Sequence, residues 1–160
     1  MTHHACSRLV SLVIASASLF ACSTAGDGPA RLNGRAVCPY LELDEIPADL
    51  EPGLLNVLPR PDPELPWVLQ TFVNADLTRE IALSSGLNPD EGEIADGPVV
   101  GEVQVGQVTA DLRQPDGGWQ LDWTTSDGPF GCEHFRVTSL GMSREEFLST
   151  VVGISVHRGS

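Results

Sequence analysis

From Val99 to Thr124 side-chain polarity alternates with a period of two, and this pattern constrains the fold more than any other stretch of the chain. In Val99–Val105, positions 99, 101, 103 and 105 share one face, while Glu102 and Gln104 occupy the other. Val108, Ala110 and Leu112 continue on one side with Thr109, Asp111 and Arg113 opposite them. Trp119, Leu121 and Trp123 then alternate with Gln120, Asp122 and Thr124. A helix repeats every 3.6 residues and would scatter such a set, whereas a strand with one wet face buries it whole. Pro115-Asp116-Gly117-Gly118 closes the last two runs into a hairpin, because Pro presets φ and Gly supplies positive φ. An even loop pairs Leu112 with Leu121, since a slip of one residue would waste both apolar faces. The same register sets Asp111 opposite Asp122. Arg113, diagonal to Asp122, is the nearest compensation for that repulsion.

Weaker signals flank this core. Trp67–Val73 and residues 80–84 read as strands, and residues 132–140 as another, with Phe135 and Val137 inward and Cys132, His134 and Arg136 facing the other way. A disulfide from Cys132 is thereby placed on the outer face or an edge. Ser143-Arg144-Glu145-Glu146 is a capping box that starts a helix, whose Phe147, Leu148, Val151 and Val152 form a stripe able to cover the sheet. Gly153 ends it, and residues 154–157 add a little extended chain. Upstream, residues 37–66 hold seven prolines, at 39, 47, 52, 59, 61, 63 and 66. They predict an irregular, extended arm with one short helix near residues 48–57, broken at Gly53. The expected fold is α+β: a small antiparallel sheet covered by a C-terminal helix, with the proline-rich arm tied on by a disulfide, in a single domain over residues 37–160.

Residues 9–20 form an apolar run behind Arg8. That length suits the core of a secretion signal and falls short of the roughly 20 residues that span a bilayer. Leu19-Phe20-Ala21-Cys22 resembles the lipobox of bacterial lipoproteins. The resemblance implies that residues 1–21 are removed, that Cys22 becomes the first mature residue, and that its sulfur carries a diacylglycerol. Ser23 follows the lipidation position where an Asp would favour retention on the inner membrane. The implied address is the cell envelope, on the outer membrane or the outer face of the plasma membrane. Ser23-Thr24-Ala25 also satisfies the small-x-small rule, so ordinary cleavage after Ala25 is the competing reading. Residues 22–36, rich in Gly and Ala, have the composition of a flexible tether.

Export divides the four cysteines. Cys6 leaves with the signal and Cys22 takes lipid, so Cys38 and Cys132 remain to pair in an oxidising compartment. Closing so long a loop stabilises a fold by about 4–5 kcal/mol in the chain-entropy model.

The formal net charge is −13 and the chain contains no lysine. Such acidity disfavours nucleic acid and unaided adhesion to anionic lipid. The sequence has no Gly-rich phosphate loop, paired-His metal motif, nucleophile elbow or Cys-x-x-Cys. His134, with Glu133 beside it and Asp122 on the neighbouring strand, supplies a possible base and orienter, but no motif places a Ser or Thr nucleophile there. Asp90, Glu91, Glu93 and Asp96 gather oxygen ligands of the kind Ca²⁺ accepts, at a spacing that does not fit an EF-hand loop. A solvated acidic loop is the plainer reading, and neither metal nor cofactor is expected.

Residues 99–156 are similar to the closing part of small bacterial exported lipoprotein and carrier-type domains, through Gly118-Trp119, Trp123 and Ser143-Arg144-Glu145-Glu146. The resemblance implies a helix laid over a curved sheet and a hydrophobic concavity for acyl chains or peptides, and it transfers no catalytic residue. Trp67, Trp119, Trp123 and Phe135 would line such a concavity or make ordinary core. The function these features predict is a non-enzymatic, lipid-anchored envelope domain that binds a protein, peptide or lipid through one face of its sheet. The alternatives are a small hydrolase built on His134 and nearby carboxylates, and a lipid or lipoprotein carrier, which requires an enclosed apolar cavity.

Overall fold

The computed structural model describes residues 29–60, 64–86, 97–125 and 132–158. Their first half forms β1 (Ala30–Leu32), β2 (Arg35–Val37), β3 (Tyr40–Leu43), β4 (Glu51–Leu58), β5 (Trp67–Val73) and β6 (Glu80–Ser85). The second half forms β7 (Val99–Val105), β8 (Val108–Arg113), β9 (Gly118–Thr124), β10 (His134–Leu140), a helix α1 (Arg144–Val151) and β11 (Ile154–His157).

Seven strands make one antiparallel sheet in the order β4-β5-β6-β10-β9-β8-β7. Two meanders, β4 to β6 and β7 to β9, are joined by β10, which pairs with β6 on one side and β9 on the other. Leu112 faces Leu121 and Asp111 faces Asp122, as the even loop requires. Gly117 takes a φ of 81° in that turn. Strand alternation then assigns the faces. Phe72, Ile81, Leu83, Leu112, Leu121, Trp123, Phe135 and Val137 are buried together with Leu41, Leu50, Met142, Phe147 and Val151 from the covering layer. That layer comprises α1, a small sheet of β3 and β11, and the connections that carry Leu50 and Met142. His157 stacks on its register partner Tyr40 with ring centroids 4.7 Å apart, and its Nδ1 lies 3.6 Å from Glu42 Oε2, the residue paired with Ser155, so the end of β11 is held to β3 by side chains as well as by the ladder. Burial, and then the Glu42 charge, raises the Tyr40 phenol above its ordinary pKa.

The architecture corrects the α+β expectation: the described residues are mostly strand, and the sheet is large. The helix has only eight residues, of which Phe147 and Val151 are buried. Val152, counted in the predicted stripe, is 79% exposed. The supposed helix near residues 48–57 is instead the edge strand β4. An edge tolerates a proline because one row of its backbone groups needs no sheet partner. The register shifts between Pro52 and Leu55, and the Leu54 N–H donates to Thr71 Oγ1 at 2.8 Å.

The proline-rich arm is therefore part of the β framework, contributing β3, β4 and the last residue of β2. The tether expected over residues 22–36 also overlaps an ordered element. Leu32 pairs with Arg35 across Asn33-Gly34, whose φ values of 52° and 80° make a two-residue hairpin turn. Ala30 and Val37 from this hairpin pack with Val68 in a second, smaller core.

Cys38 and Cys132 form a disulfide with Cα atoms 5.3 Å apart, and both residues are fully buried. The Cys38 N–H donates to the Pro66 carbonyl at 2.9 Å. Gly86 passes so close that a Cβ there would lie 2.6 Å from Cys38 Sγ. The bond thus ties the segment between β2 and β3 to the start of β10, beside the ends of β5 and β6.

Candidate binding cleft

Val105 and Val108 pair across Gly106-Gln107, and Gly106, with a φ of 60°, opens the two-residue turn between β7 and β8. This turn stands across from β11, and a cleft of about 640 Å³ lies between them, open to solvent. Its apolar lining is Val105, Val108, Trp123, Ile154 and Val156. Polar groups come from Gln107, Thr109, Thr124, Thr125 and Arg158. The Trp123 ring is stacked on Phe135 at 5.5 Å, which fixes its orientation in the cleft wall. An apolar lining with a few hydroxyls and one guanidinium buries the body of a ligand and orients it by hydrogen bonds. The lining residues come from three distant stretches, 105–109, 123–125 and 154–158, and no periodicity or motif links them. Only the Gly106-Gln107 turn between two alternating runs was available as a signal.

A second open cleft, of about 490 Å³, lies between α1 and the chain following β3. Asp44, Glu45, Asp49 and Glu146 line it with Arg79 and Met142. Arg79 bonds Asp49 at 2.5 Å and Glu146 at 3.3 Å, so its charge is already answered by two carboxylates. Glu146 closes the capping box: its Oε2 accepts from the Ser143 N–H at 2.8 Å while its own N–H donates to Ser143 Oγ at 3.2 Å. Hydrogen bonds to the carboxyl from the Ser143 N–H first and the Ser143 hydroxyl second hold Glu146 below the ordinary glutamate range, and Arg79 adds to the effect.

On the opposite face of the main sheet, the repulsion between Asp111 and Asp122 is resolved by two arginines. Arg113 lies 3.8 Å from Asp111 and 3.4 Å from Asp122, as its diagonal position suggested. Arg136, directly across from Asp122 on β10, donates from Nε to Oδ1 at 2.6 Å. Gln120 adds a bond to the same carboxylate. Sequence reading missed Arg136 because the pairing of β10 with β9 is fixed by the fold and not by a turn motif.

Asp122 is thus engaged away from His134. The His134 ring meets only a hydroxyl among the described residues, Thr124 Oγ1 at 3.2 Å from Nδ1. A nucleophile and a base do lie together, without a carboxylate to orient the imidazole. The tryptophans proposed to share a concavity are divided. Trp123 and Trp119 lie on the core side, whereas Trp67 alternates onto the other face of β5. Neither cleft is an enclosed chamber of the kind a lipid carrier needs.

Cys22 and the acidic residues Asp90, Glu91, Glu93 and Asp96 lie outside the described residues. Among the described residues no group of three or more His, Cys, Asp or Glu side chains is arranged to hold a metal ion. No helix among them is long and apolar enough to cross a membrane. No protein-family model matches the chain, and comparison with curated proteins and with solved structures finds no similar one.

Proposed function

We propose that this chain is an exported, lipid-anchored envelope protein without enzymatic activity of its own, whose β domain binds a partner molecule in the cleft between the β7–β8 turn and β11. The observation that carries the binding assignment is the cleft itself. Its volume of about 640 Å³ falls in the range of ligand sites, its wall holds a tryptophan stacked on Phe135, and its lining mixes valine and isoleucine side chains with hydroxyl groups. The anchor rests on the apolar run of residues 9–20 and on Leu19-Phe20-Ala21-Cys22. Two or more acyl chains on Cys22 would hold the domain where a single chain binds only marginally. The disulfide between Cys38 and Cys132 accords with an oxidising compartment outside the cytoplasm.

The binding assignment is tested by titrating the exported protein with anilinonaphthalene sulfonate, a fluorescent probe of apolar surface suited to a valine-lined cleft. A single saturable site is expected, lost on Val108→Glu and retained in the exposed control Val152→Glu. Absence of a saturable site, or binding indifferent to Val108→Glu in a protein that keeps its disulfide, would remove the cleft as the binding site.

A further inference from the structure

Electrostatically the first hairpin differs from the rest of the molecule. The whole chain carries a formal charge of −13, yet no acidic residue falls between Asp27 and Glu42, and two of its nine basic residues, Arg31 and Arg35, lie in that interval. Both are exposed and flank the Asn33-Gly34 turn. Neither forms an ion pair among the described residues. Arg31 donates to the Gly34 carbonyl at 3.1 Å, which holds its guanidinium over the turn. The hairpin is not a loose appendage, because Ala30 and Val37 are fully buried against Val68. Its basic tip is therefore presented by a fixed base.

Residues 23–29 are all that separate Cys22 from β1. Seven residues span at most about 25 Å even when fully extended. We propose that the β1–β2 hairpin is a membrane contact, which sets Arg31 and Arg35 on the anionic lipid headgroups of the leaflet that holds the anchor. This rests on the lipid-anchor reading of Cys22. The two charges are too few to recruit an acidic protein from solution, but a covalent anchor removes the need for recruitment. What remains for them is orientation. The hairpin is drawn to the anionic surface while the acidic body is repelled from it, and two arginines at the surface favour that pose by roughly tenfold or more. The hairpin end of the domain then faces the membrane.

The test uses isotopically labelled, acylated protein in lipid nanodiscs of one-third phosphatidylglycerol and two-thirds phosphatidylcholine, doped with a headgroup spin label. Amide broadening is expected to concentrate at residues 31–35, several-fold above that of the acidic residues Glu145 and Glu146. It should weaken in about 0.5 M salt, where screening shortens the reach of the charges to a few ångströms. The double substitution Arg31→Glu, Arg35→Glu should abolish the preference, whereas Arg31→Lys, Arg35→Lys should preserve it and so control for damage to the hairpin. Broadening that is uniform, centred on another part of the domain, or unchanged by charge reversal would overturn the proposal. Acylation is read separately from the intact mass. If the natural chain proves unacylated, the anchor reading falls, and the same chain coupled through Cys22 to a maleimide lipid still reports whether the hairpin seeks the anionic surface.

Discussion

Gly86 and Asp122 show how single residues carry this fold. At Gly86 the backbone takes a φ of 78°, and a Cβ would press on Cys38 Sγ at 2.6 Å and on the Trp67 Cβ at 3.1 Å. Gly86→Ala combines a left-handed backbone with a collision against a crosslinked sulfur, and we expect it to cost about 2–4 kcal/mol in urea unfolding. A cost below about 0.5 kcal/mol would show that the strand ends can part without loss. The two facing aspartates give a sharper contrast. Asp122 is the carboxylate shared by Arg136, Arg113 and Gln120, and the Arg136 side chain is only 11% exposed. Removing that charge in Asp122→Asn should destabilise by about 3 kcal/mol, as loss of one member of a largely buried pair does. Asp111, half exposed and farther from Arg113, contributes mostly repulsion. Asp111→Asn should stay within about 0.5 kcal/mol of the parent or gain slightly.

Among the elements, α1 is the most dependent on its first turn, because a helix of eight residues has little propagation to offset nucleation. Ser143→Ala should lower stability by about 1 kcal/mol. The Glu146 half of the same box is pH-dependent with a definite sign. Its folded carboxyl titrates below the ordinary glutamate value, so the unfolded chain takes up a proton first as pH falls. The contribution of Glu146 is therefore complete above the ordinary glutamate range and declines as pH drops through the lowered folded value. Urea midpoints of the parent and Glu146→Gln should differ most near neutrality and converge in acid. A gap that persists unchanged into acid would mean that Glu146 acts by packing and not by charge.

The capping box and the period-two strands were legible because each is local: the residues that cause the structure lie within a few positions of it. β5 and β7 span the runs that the pattern marked, although a register shift between Val99 and Gly101 takes Val99 off the face expected for it with positions 101, 103 and 105, and the β8–β9 register follows from parity alone. β4 was hidden because Pro52 and Gly53 signal a break in any central element, and only a place at the sheet edge reconciles them with a strand. β1 and β2 had a signal that was outweighed by composition, since Asn33-Gly34 is a strong hairpin turn set in a stretch otherwise like a linker. These omissions together understated the sheet and overstated the helix. The cleft was illegible for another reason: its walls meet only after β11 has been placed against β3 and β7 has reached the far edge of the sheet.

For the molecule as a whole, the described chain runs from a basic hairpin into an acidic β domain closed by a long-range disulfide, and the proposed leader and lipidated cysteine would precede them. The crosslink joins residues 94 apart in sequence, so its loss should cost about 4–5 kcal/mol in the chain-entropy model, less any strain in the native bond. Anchor, hairpin and cleft then divide the labour. On the proposed reading the first would supply residence at the membrane, the second orientation, and the third recognition. Peptide-resolved mass spectrometry of the exported protein tests the central claim of this account most directly. We predict a mature chain that starts at Cys22 with diacylglycerol on its sulfur and contains a crosslinked peptide joining Cys38 to Cys132. A chain that starts at Gly26, an unmodified Cys22, or a free thiol at Cys38 or Cys132 would contradict it.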